Sequence, residues 1–157
     1  MASGEPAYRR TAVGGTFSLF HSGHRHLIKA ALEGSDEVII GVVSDEFASQ
    51  RRKNHPIEPY EVRALRVLRY CLRKARVGQR ITVLPLDDAE GPASSDPSVE
   101  AIVVTEETLI GALKINRSRI ARKMKPLIIK VVEPILGDDG KPISSTKLWS
   151  YYYQNLY

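Results

Sequence analysis

The chain has one cysteine, Cys71, one tryptophan, two methionines and three phenylalanines in 157 residues. A single thiol excludes an internal disulfide and any zinc site built from paired cysteines. Set in a helical pattern, Cys71 reads as a small buried apolar group, and a reducing cytoplasm fits. No apolar run approaches the roughly 18 residues a membrane-spanning helix needs, and residues 1–6 are small and polar without an apolar leader segment. Repeats, low-complexity tracts and interdomain linkers are also missing. Acid is in deficit: 23 Lys and Arg stand against 18 Asp and Glu, a net +5. The surface therefore favours anions, whether nucleotides, nucleic acid or acidic head groups. Hydrophobic residues make up 43%, enough for one core, so residues 1–157 read as a single domain with 1–7 a flexible tail.

The apolar patterning alternates between strand and helix. Residues 10–13 are a short β-tending run ending at Gly14 and Gly15; after it Leu27, Ile28, Ala31 and Leu32 form one face of a helix. Residues 37–43 are nearly continuously apolar, as in a strand buried on both faces. Ser44 caps a short helix to about Gln50. Residues 51–56 are basic and irregular, and Pro59 opens a helix predicted to bury Val62, Leu65, Leu68, Leu72 and Ala75. Residues 80–86, 101–104 and 127–132 complete five strands. Between the last two, Thr105 caps a helix whose inward stripe is predicted as Leu109, Leu113, Ile120 and Met124. This β-then-α alternation predicts an α/β fold: a single Rossmann-like domain with a five-stranded parallel sheet and helices on both faces. Ligands on such sheets bind at the carboxyl ends of the strands.

The turn after the first strand is the first candidate site. Gly14 and Gly15 permit positive φ and close approach of a ligand, and the helix that follows offers unpaired N–H groups to a phosphate. His21 and His24, three residues apart with Gly23 between, reach into the space above the turn, whereas His26 is rotated away. Three readings are open for the pair: metal ligation, which lacks an adjacent third ligand; helix capping; and imidazoles donating hydrogen bonds to phosphate oxygens. A second cradle follows the turn at 137–142, where Ser144, Ser145 and Thr146 open a helix beside Lys147, as a bare cap or as an anion site. Two cradles together suggest a ligand with several phosphates. The loop from Asp87 to residue 98 belongs at a surface or site mouth. Asn116 lies on the inward stripe of its helix and needs a polar partner; Asn116 and Arg119 are weaker substrate-binding candidates because that helix starts at a strand's carboxyl end.

The segment Gly15-Thr16-Phe17 with His21-x-Gly23-His24, followed by Ile143-Ser144-Ser145-Thr146-Lys147, is similar to the paired motifs of the nucleotidyltransferase α/β superfamily. The stretches 40–47, 57–63, 88–92 and 104–116 resemble the archaeal-type phosphopantetheine adenylyltransferase family, and the resemblance runs from about residue 11 to 148. It implies transfer of AMP from ATP to 4′-phosphopantetheine, giving dephospho-coenzyme A and pyrophosphate, with Mg²⁺ bridging the phosphates rather than sitting in a protein cage. It further implies that His21, His24 and Lys53 are catalytic. Gly14, Gly15, Thr16, Phe17, Gly23, Ser144, Ser145, Thr146 and Lys147 would bind ATP and its phosphates. Thr16 and Lys53, with Asp87, Asn116 and Arg119 more weakly, would meet the second substrate.

Ser18 stands where an acid commonly follows Gly-Thr-Phe, and the tyrosine-rich stretch from Leu148 onward lacks the expected basic, acid-ended continuation, so 149–157 read as a divergent C-terminal helix or tail. FMN and nicotinamide mononucleotide are alternative acceptors, and a basic nucleic-acid-binding module is the rival from another class. The last has no aromatic-rich strand surface or recognition-helix pattern behind it, so neither nucleic acid nor a membrane is an expected partner. Oligomeric state is not set by the sequence.

Overall fold

The computed structural model describes residues 5–51 and 55–154. The chain runs β1 (Tyr8–Gly15), α1 (Ser22–Glu33), β2 (Ser35–Val43), α2 (Asp45–Gln50), α3 (Tyr60–Lys74), β3 (Arg80–Leu86), β4 (Ala101–Thr105), α4 (Leu109–Ala121), β5 (Ile128–Val132) and α5 (Ser145–Gln154), with short 3₁₀ turns at Gly91–Ser94 and Glu106–Thr108. The strands form one sheet in the order β3-β2-β1-β4-β5, and all four pairings are parallel. The α/β class and the five-stranded sheet are as expected. The order reverses direction beside β1, so the carboxyl ends of β1 and β4 flank the crevice where such sheets take ligands.

Alternation along the strands sends side chains to two apolar layers. Val13, Val38, Ile40, Val42 and Val103 pack against Ile28, Ala31 and Leu32 of α1 and Val67 and Cys71 of α3. Ala12, Ile39, Ile102 and Val104 pack on the other face against Ala112 and Ile115 of α4. Full burial of a side chain such as Ile28 contributes about 1.5–3 kcal/mol. Cys71 is fully buried and unbridged, and burial pushes its thiol up to about 12. Among the described residues no helix is long and apolar enough to cross a membrane.

Two helices are rotated from their expected phase. On α3 the buried residues are Arg63, Val67 and Cys71, while Val62, Leu65 and Leu72 are 38%, 46% and 68% exposed. On α4 they are Ala112, Ile115 and Arg119, while Leu113 and Ile120 are 55% and 60% exposed. The cause is the same in both. A buried arginine bonded through all three guanidinium nitrogens occupies a core-facing position, and apolar periodicity alone assigns such a residue to solvent.

Candidate functional site

Directly beyond β1 the backbone enters a conformation that L-residues rarely adopt: Phe17 has φ 56° and Leu19 φ 47°. Each costs on the order of 1–3 kcal/mol and persists only where the surroundings hold it. Three partners do so. Arg63, 0% exposed, donates to the carbonyls of Thr16, Val43 and Glu58 and to the Asp45 carboxylate, at 2.7–2.9 Å. Glu58 accepts from the Ser18 hydroxyl at 2.8 Å and from the Leu19 amide at 3.0 Å. Burial would raise the Glu58 carboxyl, but hydrogen bonds from the backbone and Ser18 and the nearby Arg66 charge outweigh it and hold it below the usual range. Ser145, from the far end of the chain, donates to the Ser18 carbonyl at 2.5 Å.

The glycines serve this turn differently from the sequence expectation. Positive φ falls on Phe17 and Leu19, not on Gly14 or Gly15. A Cβ on Gly14 would meet Leu86 Cδ1 at 3.3 Å, and one on Gly15 the Phe17 ring at 3.2 Å. The space they leave is filled by the protein's own side chains, which lets the Phe17 ring fold back under the turn and reach 1% exposure.

The two histidines form a reciprocal cap on α1. His21 precedes the helix, and its Nδ1 accepts from the Gly23 amide at 3.1 Å; His24 Nδ1 accepts from the His21 amide at 3.2 Å. An Nδ1 that accepts from an amide carries no proton, so these bonds assign each neutral ring the tautomer with its proton on Nε2. Burial, then the Arg25 charge, lower the His21 pKa to about 4. Burial, His21 and Arg25 lower that of His24 to about 3. Both rings are therefore neutral at physiological pH. They stack 3.6 Å apart at 20°, with Phe17 edge-on to His24 at 5.3 Å and Phe20 stacked on it at 5.7 Å. Capping and donation are thus compatible: Nδ1 caps the helix, and the Nε2–H remains to donate. Gly23 is required, since a Cβ there would lie 2.9 Å from His21 Cε1.

The second cradle lies against the first. The same Cβ on Gly23 would stand 4.0 Å from the Ile143 carbonyl. Ser144, just ahead of α5, accepts from the Lys147 amide at 3.1 Å in cap fashion. Ser145 is taken by Ser18, Thr146 Oγ1 meets His55 Nδ1 at 3.1 Å, and Lys147 Nζ reaches Asp139 at 3.4 Å. The Ser145 and Thr146 hydroxyls thus tie α5 to its surroundings while that of Ser144 caps it, and the amides of Ser145 and Thr146 stand in its first turn.

Of the remaining expected residues, Asp87 is exposed just past the carboxyl end of β3, and Lys53 lies outside the described residues. Asn116 and Arg119 are corrections. α4 runs back from the carboxyl end of β4, so both sit at the opposite end of the sheet. Asn116 exchanges a pair of hydrogen bonds with the backbone of Leu127 at 2.9 and 2.7 Å. Arg119, 1% exposed, donates to the carbonyls of Ala93, Asp96, Val99 and Lys125. Both are committed to backbone at that end of the sheet, away from the site. Sequence reasoning assigned no role to Arg63, Glu58 or His55. The first two lie in the 57–63 stretch that carried the family resemblance, while nothing marked His55 except its place in the basic loop. Among the described residues no three His, Cys, Asp or Glu side chains are grouped to hold a metal ion.

Comparison with known proteins identifies the family. The model of the cytidylyltransferase-like family matches residues 12–149. A phosphopantetheine adenylyltransferase of Methanopyrus kandleri is 40% identical over 141 residues, 90% of this chain and 88% of that protein. One from Methanothermobacter thermautotrophicus is 42% identical, over 90% of this chain and 83% of its own. Among solved structures, an Archaeoglobus fulgidus protein of unknown function superposes with TM-score 0.70 at 31% identity, covering 86% of this chain and 99% of its own. A bifunctional NMN adenylyltransferase/ADP ribose pyrophosphatase from Francisella tularensis gives TM-score 0.59 at 18% identity over 94% of this chain and 43% of its own, a likeness of fold.

Proposed function

The chain belongs to the cytidylyltransferase-like family, and we propose that it transfers the adenylyl group of ATP to 4′-phosphopantetheine, releasing pyrophosphate and forming dephospho-coenzyme A. The observation that carries this reading is the pair of neutral imidazoles at the amino end of α1, each with an Nε2–H to give, beside the amino end of α5. Phosphopantetheine adenylyltransferases at about 40% identity supply the acceptor.

The acceptor is a phosphate monoester, largely ionised at neutral pH, so no general base is needed. Its oxygen forms the new bond at the α-phosphorus, and the α–β bridging oxygen departs with the bonding pair as pyrophosphate. What the protein supplies is in-line positioning and donors aimed where charge develops. His21 and His24 donate from Nε2 to oxygens of the α-phosphate, and neutrality is an advantage, because such a donor keeps its proton. The Gly14, Gly15, Thr16 and Phe17 backbone frames the crevice, Arg63 and Glu58 hold that frame, and the α5 amides at Ser145 and Thr146 face the phosphates. Lys53, on the family resemblance, meets the pantetheine phosphate. The charge of the triphosphate would be offset by Mg²⁺ held mainly by the phosphates themselves. The setting that goes with this chemistry is the cytoplasm.

The test is pyrophosphate release from ATP and Mg²⁺ with each acceptor in turn. Release with 4′-phosphopantetheine and formation of dephospho-coenzyme A are expected. Brisk release with FMN or nicotinamide mononucleotide and none with phosphopantetheine would overturn the assignment.

A further inference from the structure

The donors at the crevice come from two helices that the rest of the protein holds in different ways. α1, which carries His24 and follows His21, buries Leu27, Ile28, Ala31 and Leu32 in the core. None of the described residues of α5 is buried, so apolar packing fixes it less firmly. Its start is instead joined by hydrogen bonds to two segments remote in the chain, and the bonds close a ring. Ser145 donates to the Ser18 carbonyl at 2.5 Å. The Ser18 hydroxyl donates to Glu58 at 2.8 Å. His55, in the same segment as Glu58 and 8% exposed, brings Nδ1 within 3.1 Å of the Thr146 hydroxyl, and Thr146 adjoins Ser145. Between His55 and Glu58 the chain is stiff, because Pro56 fixes its own φ and restricts His55 while Pro59 restricts Glu58.

A closed ring of this kind fixes α5 in two directions. Ser145 ties it to the strained turn ahead of His21, and Thr146 ties it to the segment whose Glu58 also accepts from the Leu19 amide of that turn. With one tie alone the helix start could pivot about Ser145; with both it cannot, and the amino end of α5 is set against the imidazoles of α1. In-line displacement makes that setting matter, because a misplacement of about an ångström costs up to roughly a hundredfold in rate. We propose that His55 is a positioning residue for the reaction: through Thr146 it holds α5 in register with His21 and His24, so that donors from both helices act on one ATP. Its ring acts through Thr146 rather than on substrate. This rests on the adenylyl-transfer reading.

Four variants of the full chain test it. His55→Leu fills the buried space without a polar group, His55→Asn offers a side-chain amide where Nδ1 stood, Thr146→Val removes the hydroxyl at equal volume, and His55→Leu/Thr146→Val combines two of these. Steady-state pyrophosphate release gives kcat and KM, and amide hydrogen exchange of the ligand-free proteins reads the hold on α5. In His55→Leu and Thr146→Val, kcat is expected to fall roughly tenfold or more, while KM for ATP and for the acceptor stays within about threefold. The double variant is expected within about twofold of His55→Leu, since one tie can be broken only once. His55→Asn is expected to keep kcat within about threefold of the unmodified chain. Exchange in the first turn of α5 is expected to rise roughly fivefold in the three variants without the tie and to stay unchanged in His55→Asn. Thr146 is half-buried, so Thr146→Val carries the test even where circular dichroism shows His55→Leu to fold poorly. Unchanged kcat in Thr146→Val, an Asn variant as impaired as the Leu variant, losses that multiply in the double variant, or unaltered exchange overturns the proposal. The expected exchange pattern with no pyrophosphate release from any acceptor would instead sink the adenylyl-transfer reading and leave the tie between His55 and α5 standing.

Discussion

Arg63 and Arg119 are buried alike, at 0% and 1% exposure, and both spend their guanidinium donors on main-chain carbonyls. Arg63 binds three carbonyls and one carboxylate at the carboxyl end of the sheet; Arg119 binds four carbonyls at the amino end. The segments they hold differ. Arg63 clamps Thr16, beside the left-handed Phe17, and the loop after β2 at Val43 and Asp45. Arg119 clamps the crossover into β4 and Lys125, two residues past the left-handed Lys123 that follows α4. One tie therefore borders strained backbone next to the histidines, and the other borders it at the far end of the sheet. An equal cost in folding need not mean an equal cost in function.

Substituting each by methionine, which keeps length and removes the donors, breaks the comparison most sharply. Either change leaves three or four buried carbonyls unpaired and is expected to cost about 3–5 kcal/mol of stability, measured by urea unfolding. Held well below its melting temperature, the Arg119→Met protein keeps its turnover within about twofold, whereas Arg63→Met loses at least tenfold, because the turn beneath His21 and His24 relaxes. Equal turnover in the two folded variants would show that Arg63 holds no more than scaffold.

Acid separates the two ends by a smaller amount. The folded pKa values of His21 and His24, about 4 and about 3, lie below the 6.5 of an unfolded histidine. Between those limits the unfolded chain takes up protons that the folded chain refuses, so the histidine contribution is full above pH 6.5 and is lost as pH falls toward 4 and 3. The slope is at most about 1.4 kcal/mol per pH unit for His24, and less for His21, which is more open to solvent. Arg119 has no counterpart to this, since guanidinium does not titrate there. Activity is a poor readout because the acceptor phosphate itself protonates near pH 6. Unfolding free energies at pH 7 and 5 are the measurement: the unmodified chain loses more between them than His24→Asn, whose Oδ1 can replace Nδ1 on the His21 amide. Equal losses would mean that His24 titrates normally.

The same two arginines explain what the sequence hid. The nearly continuous apolar run at 37–43 marked β2 with little error, since a strand buried on both faces needs nothing else, and the β-tending run at 80–86 marked β3, the half-exposed strand at the sheet edge. Ser44 was legible as a cap because its hydroxyl does what the rule describes, accepting from the Phe47 amide. The phases of α3 and α4 were not legible, because each turns an arginine inward and leaves leucines such as Leu65 and Leu72 outside. His21 and His24 stood out by spacing and motif. Their neutrality depends on burial against Phe17 and Phe20, and the role of Gly14 depends on Leu86, more than seventy residues away in the chain. Asn116 was correctly expected to need a partner, but the direction of α4 puts that partner at the wrong end for catalysis.

Glycine provides the finest version of the contrast. Gly111 of α4 has nothing within 4 Å of a built Cβ, so Gly111→Ala adds helix propensity at no steric cost and is expected to stabilise by up to about 1 kcal/mol. Gly23, in the first turn of α1, gains less from the same substitution, and its new methyl would stand 2.9 Å from His21 Cε1 and 3.0 Å from Nδ1. The ring must swing aside, losing the Gly23 amide and its 3.6 Å stack on His24. Gly23→Ala is therefore expected to change stability by no more than about 1 kcal/mol while lowering kcat roughly tenfold, because a donor displaced by an ångström no longer meets the α-phosphate. Thermal melts and steady-state pyrophosphate release on both alanine variants decide it. A Gly23→Ala protein as active as Gly111→Ala would mean that the placement of the His21 ring does not limit the reaction.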